Sequence, residues 1–111
     1  MQNTRLEQLK QYLLNEPDDS FLKYAIATEY IKLDQLDEAL NYFTELVTTD
    51  ENYVGTYYHL GKLYEKLSKK DDAEATYKKG LMIARKAGKM HAAAELQQAL
   101  NSVLGLDYED D

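Results

Sequence analysis

The chain is 111 residues long, 44% hydrophobic and 30% charged, with a net charge of −7 and no cysteine. That length holds one domain or a short array, and the apolar share sets the chain apart from a disordered acidic tail. The missing cysteines remove disulfides, thiolate metal sites and thiol nucleophiles together, and no apolar run approaches the roughly 20 residues that a bilayer span requires.

Met1-Gln2-Asn3-Thr4-Arg5-Leu6 passes straight into a helical pattern without the basic and apolar blocks of a secretory signal, so the expected location is cytoplasmic. Leu6, Leu9 and Leu13 recur at the spacing of one buried stripe and predict a first helix over residues 4–15. Pro17 forbids its continuation. Asp18, Asp19 and Ser20 offer side-chain oxygens to the free amides of a second helix, over 20–33, whose inner stripe is Ile26, Ala27, Tyr30 and Leu33. After a break at Asp34-Gln35, Leu36, Ala39, Leu40, Phe43, Leu46 and Val47 give the cleanest 3.6-residue pattern in the chain.

Residues 48–52 (Thr-Thr-Asp-Glu-Asn) favour capping over helix, so they close the third helix and open a fourth near Tyr53, with Tyr57, Leu60, Gly61, Tyr64 and Leu67 facing inward. Ser68-Lys69-Lys70 forms the next turn. Asp71 and Asp72 suit the start of a fifth helix that buries Ala73, Tyr77, Gly80, Leu81 and Ala84 and ends at Gly88. A sixth, over 89–104, buries Ala93, Leu96, Leu100 and Val103, and residues 105–111 remain as an acidic tail.

These stripes repeat. Tyr30, Ala39 and Phe43 return 34 residues later as Tyr64, Ala73 and Tyr77. A period of about 34 built from two helices is the signature of a helix-turn-helix solenoid, in which small residues let paired helices approach and large rings fill the wedge between pairs. Gly61 costs about 1 kcal/mol in mid-helix relative to alanine and so needs a packing reason, which close approach to the fifth helix near Ala73 supplies.

At these residues the chain resembles the tetratricopeptide repeat family, of the small standalone kind found in bacteria. Tyr57, Leu60, Gly61, Tyr64, Ala73 and Tyr77 match the family pattern, and Ile26, Ala27, Tyr30, Ala39 and Phe43 match it less fully. The resemblance implies an all-α superhelix: a half-repeat over 4–19, repeats over 20–53 and 54–87, and a capping helix over 89–104, together one domain over 4–104. Lys23 stands where the first repeat should carry its aromatic. Asp34 and Ser68 replace the usual turn glycine, and Glu51 and Arg85 the terminal proline.

The resemblance also implies a concave groove, lined by the first helix of each pair, that binds a peptide or a partner protein. By helical phase its lining is Phe21, Tyr24, Thr28 and Lys32 on one helix, then Tyr58, His59, Lys62 and Lys66 on the next, with His91, Glu95 and Gln98 on the last. The family's carboxylate clamp for chaperone tails is not reproduced by Tyr24, Thr28 and His59. Ten tyrosines in one chain also include rings that are simply half-buried, and His91 with Glu95 makes too small a set for a metal.

No phosphate loop, nucleophile elbow or His-Glu-x-x-His sequence is present, so neither catalysis nor a cofactor is expected. Net negative charge argues against nucleic acid. Residues 60–90 nevertheless hold nine basic side chains against four acidic ones, which fits either solvated outer faces or a docking face for an acidic partner. A rival to external binding is self-association, as a homodimer through the groove or end helices.

Overall fold

The computed structural model describes residues 4–106, and the part of the predicted acidic tail beyond Leu106 lies outside them. The helices are α1 (Thr4–Asn15), α2 (Ser20–Lys32), α3 (Leu36–Thr49), α4 (Gly55–Lys66), α5 (Lys70–Lys86) and α6 (Met90–Val103). No strand occurs among the described residues, so the chain is all-α as expected. It divides into two compact units between Tyr53 and Val54.

In the first unit α1 packs on α2, and α2 on α3. The Asp19 side chain caps α2 by accepting from the Leu22 amide at 2.9 Å, an arrangement worth about 1 kcal/mol. Ala27 and Ala39 are wholly buried, so α2 and α3 meet without large side chains between them at those points. The α1 stripe is shorter than predicted: Leu6 and Leu9 are buried, whereas Leu13 is half-buried.

Two charges are buried in this unit, and each meets an opposite charge. Lys23, in the place of an aromatic, brings Nζ to 3.2 Å from a Glu45 carboxylate oxygen. Glu29 accepts from Arg5 on α1 and from Lys32 on its own helix, both at 3.1 Å. Without such partners each burial would be strongly unfavourable.

In the second unit α5 packs on α4 and on α6, and α4 and α6 also touch. Helix α4 starts at Gly55, two residues later than the sequence suggests, because the Tyr53 amide is committed to a turn on the Asp50 carbonyl. Gly61 and Gly80 are the close-approach points. A Cβ at Gly61 would lie 2.6 Å from Cδ1 and Cζ of Tyr77, with Cε1 closer still, so the fully buried Tyr77 ring, rather than Ala73, is what the glycine admits. The Tyr77 hydroxyl donates to Glu65. Burial, and then this carboxylate, push the phenol pKa well above its usual value and keep the proton in place.

Helices α2, α4, α5 and α6 end alike. Asp34, Ser68, Gly88 and Gly105 have φ of 59, 61, 73 and 76°. The following amides reach back to Tyr30, Tyr64, Ala84 and Asn101 carbonyls at 2.7–2.9 Å, as in a Schellman turn. Asp34 and Ser68 therefore adopt the glycine conformation without being glycine.

Thr56 is wholly buried, and its hydroxyl has no hydrogen-bond partner. Thr44, Thr48, Thr49 and Thr76 each donate to the carbonyl four residues back. Thr56 is second in α4, so its fourth predecessor, Asn52, lies in the turn before the helix. Thr56→Val removes an unsatisfied hydroxyl at nearly constant shape and is expected to stabilise by about 1 kcal/mol, read as a higher urea midpoint at unchanged slope.

Candidate functional site

Helices α4 and α6 present one side of the second unit as a cavity of about 280 Å³, lined by Tyr58, Lys62, Glu95, Gln98, Ala99 and Ser102. Tyr58 and Lys62 are one helical turn apart, as are Glu95 with Gln98 or Ala99, and Ser102 follows one turn later. Two parallel stripes therefore supply the walls, while Leu60, Leu63, Leu96 and Leu100 on other faces anchor the same helices in the core.

The Lys62 ammonium lies 5.5 Å from the Tyr58 ring centroid, within cation–π range, and 3.9 Å from a Glu65 oxygen. His59 stands edge-on to Tyr58 at 5.6 Å between ring centroids. Burial lowers the His59 pKa below its ordinary value, and the Glu95 charge opposes the shift. His91 Nε2 is 3.4 Å from Glu95 but its side chain is almost fully exposed, outside the cavity wall. Among the described residues no three His, Cys, Asp or Glu side chains converge to hold a metal. The lining is an ammonium, a carboxylate, an amide, a hydroxyl and an aromatic face, so hydrogen-bond donors and acceptors stand beside one ring.

The expected groove residues of α2 belong to the first unit. Tyr24 is half-buried, its ring 6.3 Å from Phe43, 5.9 Å from Tyr53 and 6.5 Å from Phe21, and burial raises its pKa. Phe21 is 55% exposed, so it is the open member of that cluster. Thr28 donates to the Ala25 carbonyl and Lys32 turns to Glu29. Lys66 is exposed at the end of α4.

Sequence reasoning missed Ala99 and Ser102, although they continue the Glu95–Gln98 stripe by one turn. It also missed a recess of about 560 Å³ in the first unit, lined by Lys10, Leu13, Leu14, Pro17, Lys23, Tyr42 and Glu45. The signal there was Lys23 itself, a cation at an aromatic position.

A family model described as Tetratricopeptide repeat matches residues 30–100. A solution structure of a tetratricopeptide repeat domain protein from Salinibacter ruber is 48% identical, covers 86% of this chain and 96% of its own, and has a TM-score of 0.78. A crystal structure of a tetratricopeptide repeat domain protein from the same organism is 50% identical over 80% of this chain and all of that one, at a TM-score of 0.76. A solution structure of a Bordetella parapertussis protein is 25% identical, covers 96% of this chain and 92% of its own, and has a TM-score of 0.80. No protein of curated function shows significant similarity to the chain. The period, the helix order and these likenesses agree, and the chain belongs to the tetratricopeptide repeat family.

Proposed function

We propose that the chain is a recognition module, not an enzyme, that holds a peptide or partner surface on the groove side of its first helices. Tetratricopeptide repeats generally mediate protein–protein interaction. The observation that carries the finer reading is the α4–α6 cavity, where Tyr58 offers rigid ring area beside the Lys62 charge. Rings of this kind give contact area at little rotamer cost, and the ammonium adds complementarity to an acidic group on the partner. By the 34-residue period, Tyr24 with Phe21, Thr28 and Lys32 extend the reading to α2, and His59, Lys66 and His91 flank the centre.

Tyr58→Ala combined with Lys62→Ala is expected to weaken partner capture about tenfold or more while the helical circular dichroism stays unchanged. Unchanged recovery of the partner from lysate by the double variant defeats this reading. A second reading, self-association, is favoured by Tyr12 and Leu14, 56% and 75% exposed on α1. Light scattering separates the two, since a concentration-independent dimer supports assembly and a monomer supports external binding.

A further inference from the structure

The recess of the first unit, about 560 Å³, takes Lys10, Leu13 and Leu14 from α1, Tyr42 and Glu45 from α3, and Lys23 from α2. That is the size of a small-molecule pocket. It is not a furrow that the repeat produces everywhere: 34 residues after Lys10, Leu14, Pro17 and Tyr42 stand Thr44, Thr48, Glu51 and Thr76, so the Lys10 charge and most of the apolar wall do not recur.

Two of the lining charges balance, since the buried Lys23 holds its ammonium 3.2 Å from Glu45. Lys10 is the one left over. Its ammonium stands 5.2 Å from the Tyr30 ring centroid, and the Tyr30 hydroxyl is the first of the groups that hold its pKa above the ordinary value. Glu38 acts on Lys10 by charge and not through a hydrogen bond, and it opposes an anion there. An ammonium nevertheless carries three donors, so a further acceptor meets it at contact distance, where the attraction is largest.

One turn along α1 from Lys10, roughly 6 Å, Leu14 is 75% exposed, with Leu13 half-buried beside it and Pro17 beyond the helix end. A cation at one end of an apolar wall matches a molecule built in the opposite sense, one carboxylate on a short hydrocarbon chain. A peptide is the poorer match. Laid along this wall, it would set its backbone amides against Leu13, Leu14 and Pro17, whose side chains offer them no partner.

We propose that the recess between α1 and α3 is a second binding site, for a small apolar monocarboxylate that pairs with Lys10 and lays its chain over Leu13, Leu14 and Pro17. The site lies wholly in the first unit and does not depend on the α4–α6 reading.

The test titrates octanoate, whose chain is long enough to pass from Lys10 beyond Leu14, into the full chain and follows the Leu13 and Leu14 methyl groups in carbon–proton correlation spectra. 1-Octanol and octylammonium carry the same tail with no charge and with the opposite one. Octanoate is expected to move both residues' resonances saturably, with a Kd of roughly 1 mM or below. It should bind about threefold or more tighter than octanol, and octylammonium should be the weakest of the three. Lys10→Gln should remove the octanoate advantage and leave octanol unchanged, whereas Leu14→Asn should weaken both. Both residues are exposed, so neither substitution threatens the fold. The proposal is overturned by the absence of saturable shifts, by equal affinities for octanoate and octanol, or by a preference for octanoate that survives Lys10→Gln. An octanoate affinity that falls as the protein is concentrated assigns the recess to a second copy and overturns it as well.

Discussion

Gly80→Ala is expected to destabilise the chain by about 2–3 kcal/mol, although alanine is the better helix former by about 1 kcal/mol. A Cβ at Gly80 would stand 2.8 Å from Cγ of Tyr57, nearer still to its Cβ, and 3.3 Å from Cδ1 of Leu96. The Tyr57 Cβ cannot swing aside as a ring edge can, since it moves only with the α4 backbone. Relief therefore requires α4 and α5 to separate, and Tyr57, 2% exposed, gives up packing as they do. Overpacking outweighs propensity, and the melting midpoint should fall by roughly 10–20 °C. The first repeat shows how such a site is built without glycine: 34 residues before Tyr57, Lys79 and Gly80 stand Lys23, Glu45 and Leu46, where the lysine pairs with the glutamate. Gly80→Leu alone should be worse than Gly80→Ala, and adding Tyr57→Lys with Lys79→Glu should recover at least about 1 kcal/mol of the loss in urea unfolding.

That exchange marks how far the fold was legible in the sequence. The period placed six helices because Tyr30, Ala39 and Phe43 face one side of a hairpin and recur as Tyr64, Ala73 and Tyr77, and a stripe survives local noise. Boundaries were less legible where a tertiary commitment intervened. Tyr53 looked like a helix start by propensity, but its amide closes the Asp50 turn and its ring packs on Tyr24. Asp34 and Ser68 looked like departures from turn chemistry, yet their backbones hold the left-handed angles, since a Schellman turn asks for a conformation and glycine is only its cheapest supplier.

The candidate site was legible in part for the same reason. Helical phase put Tyr58, Lys62, Glu95 and Gln98 on one side, and a cavity lies there. Phase alone does not say how deep a side chain sits, so it could not separate Tyr24, engaged with Phe43 and Tyr53, from the open Phe21. Nor could it see that Lys23 is buried against Glu45, because an ion pair between helices depends on packing distance and not on spacing along either helix.

Gly61→Ala should cost about 2–4 kcal/mol by a different route. Here the obstacle is the outer part of the Tyr77 ring, the kind of group that a flexible side chain ordinarily withdraws. Tyr77 has no such freedom: it is wholly buried, and its hydroxyl is held by Glu65 across the α4–α5 contact. Displacing the ring breaks a hydrogen bond to a carboxylate, worth about 1.5–3 kcal/mol, and adds overpacking strain, against a helix gain of about 1 kcal/mol. The assignment is checked by a double-mutant cycle. Tyr77→Leu removes the ring atoms nearest the new methyl group, so Gly61→Ala should be nearly neutral in that background, with a coupling above about 1 kcal/mol in denaturant unfolding. Additive costs would show that alanine at 61 is excluded by something other than the Tyr77 ring.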